Sequence, residues 1–181
     1  MTDYACPEAL QEVIETFRDA AQEERLDMLL EYAMNLPDLP EELHSARDTM
    51  EQVHECQTPV FLLAKLRDGK VHYYLDVPRE APTVRGFAGI LYEGLNGAPP
   101  AAIVATPNDL YQQLGLHKVL SPLRLRGLTA LLSRMKRNAR ELAAARPIPL
   151  LPPITTTCAP CSFILLSSRT WCTIGSWHST T

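Results

Sequence analysis

The sequence predicts an α+β domain, a small antiparallel β-sheet packed against several α-helices, and three observations carry that expectation. Apolar residues recur at helical spacing in the first third of the chain and again between residues 84 and 142. Between those regions, Val60-Phe61-Leu62-Leu63-Ala64-Lys65-Leu66 and Val71-His72-Tyr73-Tyr74-Leu75 are β-compatible runs joined through Asp68-Gly69, a strong local signal for a hairpin. With 181 residues, 46% of them hydrophobic, the chain can bury one proper core but not two. The expected organisation is one domain over residues 1–146 and a Pro/Ser/Thr/Cys-rich tail over 147–181.

Taken in order, Pro7 suits a first helical turn, and Leu10, Val13, Ile14 and Phe17 form one apolar face opposite Glu12, Glu15, Arg18 and Asp19. Glu23-Glu24-Arg25 opens a second helix with the stripe Leu26, Leu29, Leu30, Ala33 and Met34, which ends at Asn35 before Leu36-Pro37-Asp38-Leu39-Pro40. Both stripes are expected to face a common core. A polar segment with His44, Arg47, Asp48 and Glu51 follows, then the hairpin. Pro82 and Thr83 lead into Val84, Phe87, Ala88, Leu91 and Leu95 at helical spacing, closed by Asn96-Gly97. Thr106-Pro107 reads as an N-cap with proline at the first helical position, opening a short helix through Leu114 that Gly115 ends. Ser121-Pro122 repeats the device before a long helix carrying Leu128, Leu131, Leu132, Met135, Ala139 and Leu142.

That long helix is the most basic segment, with Arg124, Arg126, Arg134, Lys136, Arg137 and Arg140. The ordinary meaning of such a run is a solvated face. Arg124 and Arg126 stand apart, because they occupy the first turn, where the helix dipole disfavours cations. From Pro147 onward the prolines cannot continue a helix, and no acidic residue follows Glu141, so this stretch reads as an unstructured appendage outside the fold.

A formal net charge of -4 argues against sequence-independent nucleic-acid binding, which needs a basic surface to neutralise phosphates. Met1-Thr2-Asp3-Tyr4-Ala5-Cys6 lacks the basic and apolar regions of a secretory signal, and no apolar run approaches the roughly 18 residues of a membrane span. The expectation is a cytoplasmic protein without membrane or nucleic-acid partners, whose five cysteines are thiols or ligands rather than disulfides.

Among those cysteines, Cys56 lies in Glu51-Gln52-Val53-His54-Glu55-Cys56-Gln57-Thr58-Pro59-Val60, a polar stretch ahead of the hairpin. Pro59 removes a backbone donor and biases Thr58 toward extended geometry, which places Cys56 on an exposed turn leading into a strand. A rigid sheet immediately downstream can present such a loop with little wobble. A thiol there can attack sulfur, bind metal, fill space or act as a hydrolytic nucleophile with His44, His54, His72 or His117 as base, although nothing in the sequence pairs any of them with it. Cys158-Ala159-Pro160-Cys161 with Cys172 and His178 can supply four zinc ligands, but the spacing matches no common zinc module, so no metal site is expected.

Four stretches together resemble the SufE family of sulfur-acceptor proteins, over about Leu10 to Ala144. Leu36-Pro37-Asp38-Leu39-Pro40-Glu41-Glu42-Leu43 is similar to the family's leucine-proline segment, and Val53-His54-Glu55-Cys56-Gln57-Thr58-Pro59-Val60 to its V-x-G-C-x-S-x-V loop. Glu80-Ala81-Pro82-Thr83-Val84-Arg85-Gly86-Phe87 resembles the D-A-x-x-V-x-G-L helix start, and Leu120-Ser121-Pro122-Leu123-Arg124-Leu125-Arg126-Gly127-Leu128 the L-S-x-S-R-x-x-G-L one. The resemblance implies an accessory sulfur-transfer protein in iron–sulfur cluster assembly. Cys56 would take persulfide sulfur from a SufS-like cysteine desulfurase, stimulate that enzyme and deliver sulfur to an iron–sulfur scaffold complex.

It further implies that Gln57, Thr58, Glu80 and Arg124 contact the partner, and that no cofactor belongs to this chain, the pyridoxal phosphate being the desulfurase's own. Departures from the pattern are Glu55 in place of glycine before the cysteine, Thr58 for serine, and the added Pro59. A glutamate close to the thiol raises its pKa and lacks glycine's backbone freedom, whereas a cation such as Arg124 lowers that pKa. The alternative from a different class is a metal- or cluster-binding scaffold without sulfur-carrier activity.

Overall fold

The computed structural model describes residues 6–56 and 58–145. The 147–181 tail, with its Cys158, Cys161, Cys172 and His178, lies outside the described residues.

The first two helices, α1 (Glu8–Asp19) and α2 (Glu24–Asn35), begin and end close to where the apolar spacing places them. Leu10, Val13, Ile14 and Phe17 are all buried, so the first stripe is core. The second stripe divides. Leu29 and Ala33 are buried, but Leu26, Leu30 and Met34 are exposed, Met34 by 84%. Those three recur every fourth residue along one line of the helix, and the neighbouring helix covers only the adjacent line.

The polar segment forms a short helix α3 (Glu41–His44), a single 3-10 turn (Arg47–Thr49) and a two-residue strand β1 (Glu51–Gln52). Strands β2 (Phe61–Arg67) and β3 (Lys70–Asp76) form the expected hairpin, in the antiparallel order β1-β2-β3. Asp68 and Gly69 both have positive φ, 51° and 77°, as the tight two-residue turn requires. Leu62, Val71, Tyr73 and Leu75 are buried. The outer edge of β3 is covered by residues 96–98: Val71 N–H donates to the Ala98 carbonyl at 2.9 Å and Tyr73 N–H to Asn96 Oδ1 at 2.9 Å.

Helix α4 (Pro82–Leu95) is buried on almost every side, among α1, α2, β3 and the last helix. Its glycines let α2 approach to backbone contact, since a Cβ on Gly86 would stand 2.1 Å from the Leu29 carbonyl oxygen. Arg85, 6% exposed, fixes the register of that approach. Its guanidinium donates to the carbonyls of Ala33, Leu36 and Val77, each at 2.8 Å, and to Asp38 Oδ1 at 3.0 Å. Two of these carbonyls lie at the end of α2, where helical carbonyls lack intrahelical partners and a cation suits the dipole.

Residues 100–118 differ from the sequence expectation. Helix α5 (Pro100–Ala105) was not foreseen, and Thr106 follows it as its C-cap rather than opening the next helix. Thr106 is buried and its hydroxyl donates back to the Ala102 carbonyl at 3.3 Å. Helix α6 starts only at Leu110 and ends at Gln113, with Gly115 left-handed as its termination requires. The long helix α7 (Pro122–Ala144) runs 23 residues and packs on α5, α4 and β2. Its basic residues are not simply solvated. Lys136 is buried, donating to the Thr106 carbonyl and to Asn108, and Arg134 and Arg137 are ion-paired.

Arg85→Met keeps most of the stem but leaves three buried carbonyls without their donor, and is expected to cost about 3 to 5 kcal/mol. Gly86→Ala drives a methyl into the α2 backbone and is expected to lose more than about 2 kcal/mol. Urea unfolding monitored by circular dichroism, with the slope unchanged and the midpoint lowered, checks both.

Candidate functional site

Cys56 stands on a loop between β1 and β2. Its base is closed by the Val53 amide donating to the Val60 carbonyl at 2.8 Å, with both valines fully buried. Beyond this staple the loop rests on the first turns of α7. The position between strands matches the sequence reading, but the exposure does not. Cys56 is half-buried, and its Sγ lies 3.5 Å from the Gly127 carbonyl oxygen, as a weak S–H donor. Gly127 makes this possible, because a Cβ there would come within 3.1 Å of the sulfur. The sequence shows that a glycine sits in α7; only the fold shows that its missing side chain is the seat for a thiol.

A cleft of about 250 Å³ opens beside the sulfur, lined by Cys56, Thr58, Glu80, Leu123, Arg124 and Gly127 among others. Thr58, Glu80 and Arg124, three of the four residues expected to contact a partner, line this cleft with the cysteine, from the loop, the entry to α4 and the first turn of α7. Gln57, the fourth, lies outside the described residues. Leu123, 51% exposed at the rim, is an apolar side chain that sequence reasoning passed over. His54 is exposed on the same loop and acts on Glu55 rather than on the sulfur.

Burial pushes the Cys56 thiol above its ordinary range, Glu55 pushes it further, and Arg134 draws it partly back. The expected effect of Glu55 holds, but the cation that acts on the thiol is Arg134, nearly three turns further along α7, and not Arg124. Arg134 was passed over because its significance depends on a partner 79 residues away. Its Nη2 donates to both oxygens of Glu55 at 2.9 Å, and its Nη1 bonds Glu51, which Arg137 also holds. These pairs hold the carboxyls of Glu55 and Glu51 below the usual carboxylate range, against the cost of partial burial at Glu51. Among the described residues, no group of three or more His, Cys, Asp and Glu side chains is placed to hold a metal ion, and no helix is long and apolar enough to cross a membrane.

Residues 11–139 match the family described as SufE, the Fe-S metabolism associated domain. The chain belongs to the SufE family. A SufE-like protein of Mycobacterium tuberculosis is 47% identical over 136 residues, 75% of this chain and 94% of its own. The sulfur acceptor protein CsdE of Escherichia coli is 32% identical over 119 residues, 64% of this chain and 78% of its own. The solution structure of a hypothetical protein from Thermus thermophilus shares the fold, with a TM-score of 0.69 at 42% identity over 77% of this chain and 99% of that one. The SufE match runs from α1 into the last turns of α7 and so includes the cysteine loop, the cleft and Arg134.

Because burial and Glu55 together raise the thiol, Cys56 carries less thiolate at neutral pH than a free cysteine. Its alkylation by iodoacetamide, followed on the Cys56 peptide by mass, is therefore expected to be slower at neutral pH and to reach half its plateau at higher pH than free cysteine does. Gly127→Ala is expected to push the sulfur outward, because the loop side chain yields more easily than the helix backbone. Alkylation should then be several-fold faster, with stability unchanged or raised by up to about 1 kcal/mol from the better helix former.

Proposed function

We propose that Cys56 is the sulfur acceptor in a transfer from a cysteine desulfurase, and that this chain passes the sulfur on for iron–sulfur cluster assembly. The observation that carries this reading is the nucleophilic thiol at the edge of an open cleft on a base-stapled loop, in a chain of the SufE family. The relative that is a sulfur acceptor protein by name adds to it.

The chemistry needs little from the protein beyond presentation. The Cys56 thiolate attacks the outer sulfur of the desulfurase's cysteine persulfide in line, a new S–S bond forms at Cys56, and the old one breaks. The desulfurase cysteine leaves as its thiolate and the outer sulfur keeps its proton, so no oxidant or reductant is consumed. Rate then depends on thiolate fraction and on access. In the resting chain both are low, since the thiol is tucked against Gly127 and raised by its surroundings. Docking completes the site: Arg124 and Glu80 offer opposite charges at the cleft mouth, Leu123 an apolar contact, and Gln57 and Thr58 follow the cysteine in sequence. Cytoplasmic residence and delivery to a scaffold complex belong to the same reading.

Incubation with a SufS-type desulfurase and cysteine is expected to add sulfur to the Cys56 peptide by mass and to speed cysteine turnover. Cys56→Ser should lose both, and turnover that is equally fast with the serine variant overturns the reading.

A further inference from the structure

The cysteine loop is held at its two ends by different physical means. The base rests on a backbone hydrogen bond between two buried valines, which solvent and salt hardly reach. The tip rests on two contacts with α7, the weak thiol bond to Gly127 and the ion pair of Glu55 with Arg134. Arg134 is placed as an anchor. Its side chain is only 17% exposed, and its other arm bonds Glu51 in the strand that leads into the loop. Glu55, at 51% exposed, is the end open to solvent. The glutamate stands where the family pattern has glycine, so this tie is built into the residue that also removes glycine's backbone freedom next to the cysteine.

We propose that Arg134 is a positioning residue which, through Glu55, latches the tip of the loop so that Cys56 stays seated on Gly127. Opening the latch frees the sulfur while the stapled base keeps the loop in place. The latch rests on the reading of Cys56 as the reactive thiol, but thiol access can be measured without any sulfur transfer, so the two stand or fall separately.

The test is the full pH profile of iodoacetamide alkylation at the Cys56 peptide, read by mass in the native chain and in Glu55→Gln, Arg134→Gln and Arg134→Lys. The plateau at high pH reports access, and the midpoint reports burial and local charge together. The groups that face the thiol are Glu55 from the loop, Glu80 from the entry to α4, and Arg124 and Arg134 from α7. Both glutamine variants are expected to raise the plateau about three- to tenfold, the range that a partly exposed, charge-assisted pair supports. The midpoint should fall in both, further in Glu55→Gln, which loses burial and a neighbouring negative charge together, than in Arg134→Gln, where the lost burial is opposed by the lost cation. Arg134→Lys should recover part of the native plateau. Rising salt should speed the native chain at the plateau and leave Glu55→Gln unmoved, because only the native chain has the pair to screen. An unchanged plateau in Glu55→Gln overturns the latch. A rise in Arg134→Gln alone does so too, by assigning Arg134 to Glu51 only. Should Arg134→Gln fail to fold, Glu55→Gln decides, since its side chain is half exposed.

Discussion

The sulfur of Cys56 and the backbone of Gly127 meet because one side chain is short and the other is absent. That contact decides how deep the thiol lies, and depth decides much of its chemistry. At this depth the protein withdraws water from the sulfur, which disfavours the thiolate, and it blocks one face of the approach. The seat exists because α7 is held rigidly beneath the loop. Buried α4 supports α7 and the sheet together, and α4 is itself locked to α2 by Gly86 and by the guanidinium of Arg85. A steric vacancy of one methyl group at the site thus depends on close helix packing on the far side of the core.

A nucleophile at rest and a nucleophile at work make opposite demands. Exposed thiolates react with whatever reaches them, so a carrier gains by keeping its thiol protonated and half covered until a donor is present. Two features of this chain serve the resting demand, burial against α7 and the negative charge of Glu55. Arg134 opposes the second by drawing the thiol back, while it ties down the tip that carries it. Glu55 thus acts twice, once through charge on the sulfur and once through its bond to the helix. The cleft beside the sulfur is lined by Arg124, Glu80 and Leu123, all three of them exposed.

Local physics was readable from the residues. The Asp68-Gly69 turn was legible because two consecutive positive φ angles leave few residue choices, and the ends of α1 and α2 because apolar spacing and proline mark them. The errors came where a local signal had two meanings. Thr106-Pro107 is as good a helix end as a helix start, and the backbone used it as an end. Leu26, Leu30 and Met34 looked like core because they share a stripe with Leu29 and Ala33, yet a stripe five residues wide is broader than the contact one neighbouring helix can make. Arg134 looked like one cation of a solvated run, since no spacing along α7 signals a carboxylate on a loop from the other half of the chain.

By itself, the sequence determined the class of fold, the hairpin, the long basic helix and the single cysteine placed between polar residues ahead of a strand, because these follow from periodicity, turn chemistry and backbone restriction within a few residues. Tertiary structure alone decided that the thiol lies tucked rather than presented, that Gly127 is its seat, and that Arg134 rather than Arg124 is the cation in its field. Those outcomes depend on distances between segments about 70 to 80 residues apart in the chain, and such distances are set by packing of the whole core rather than by any local preference.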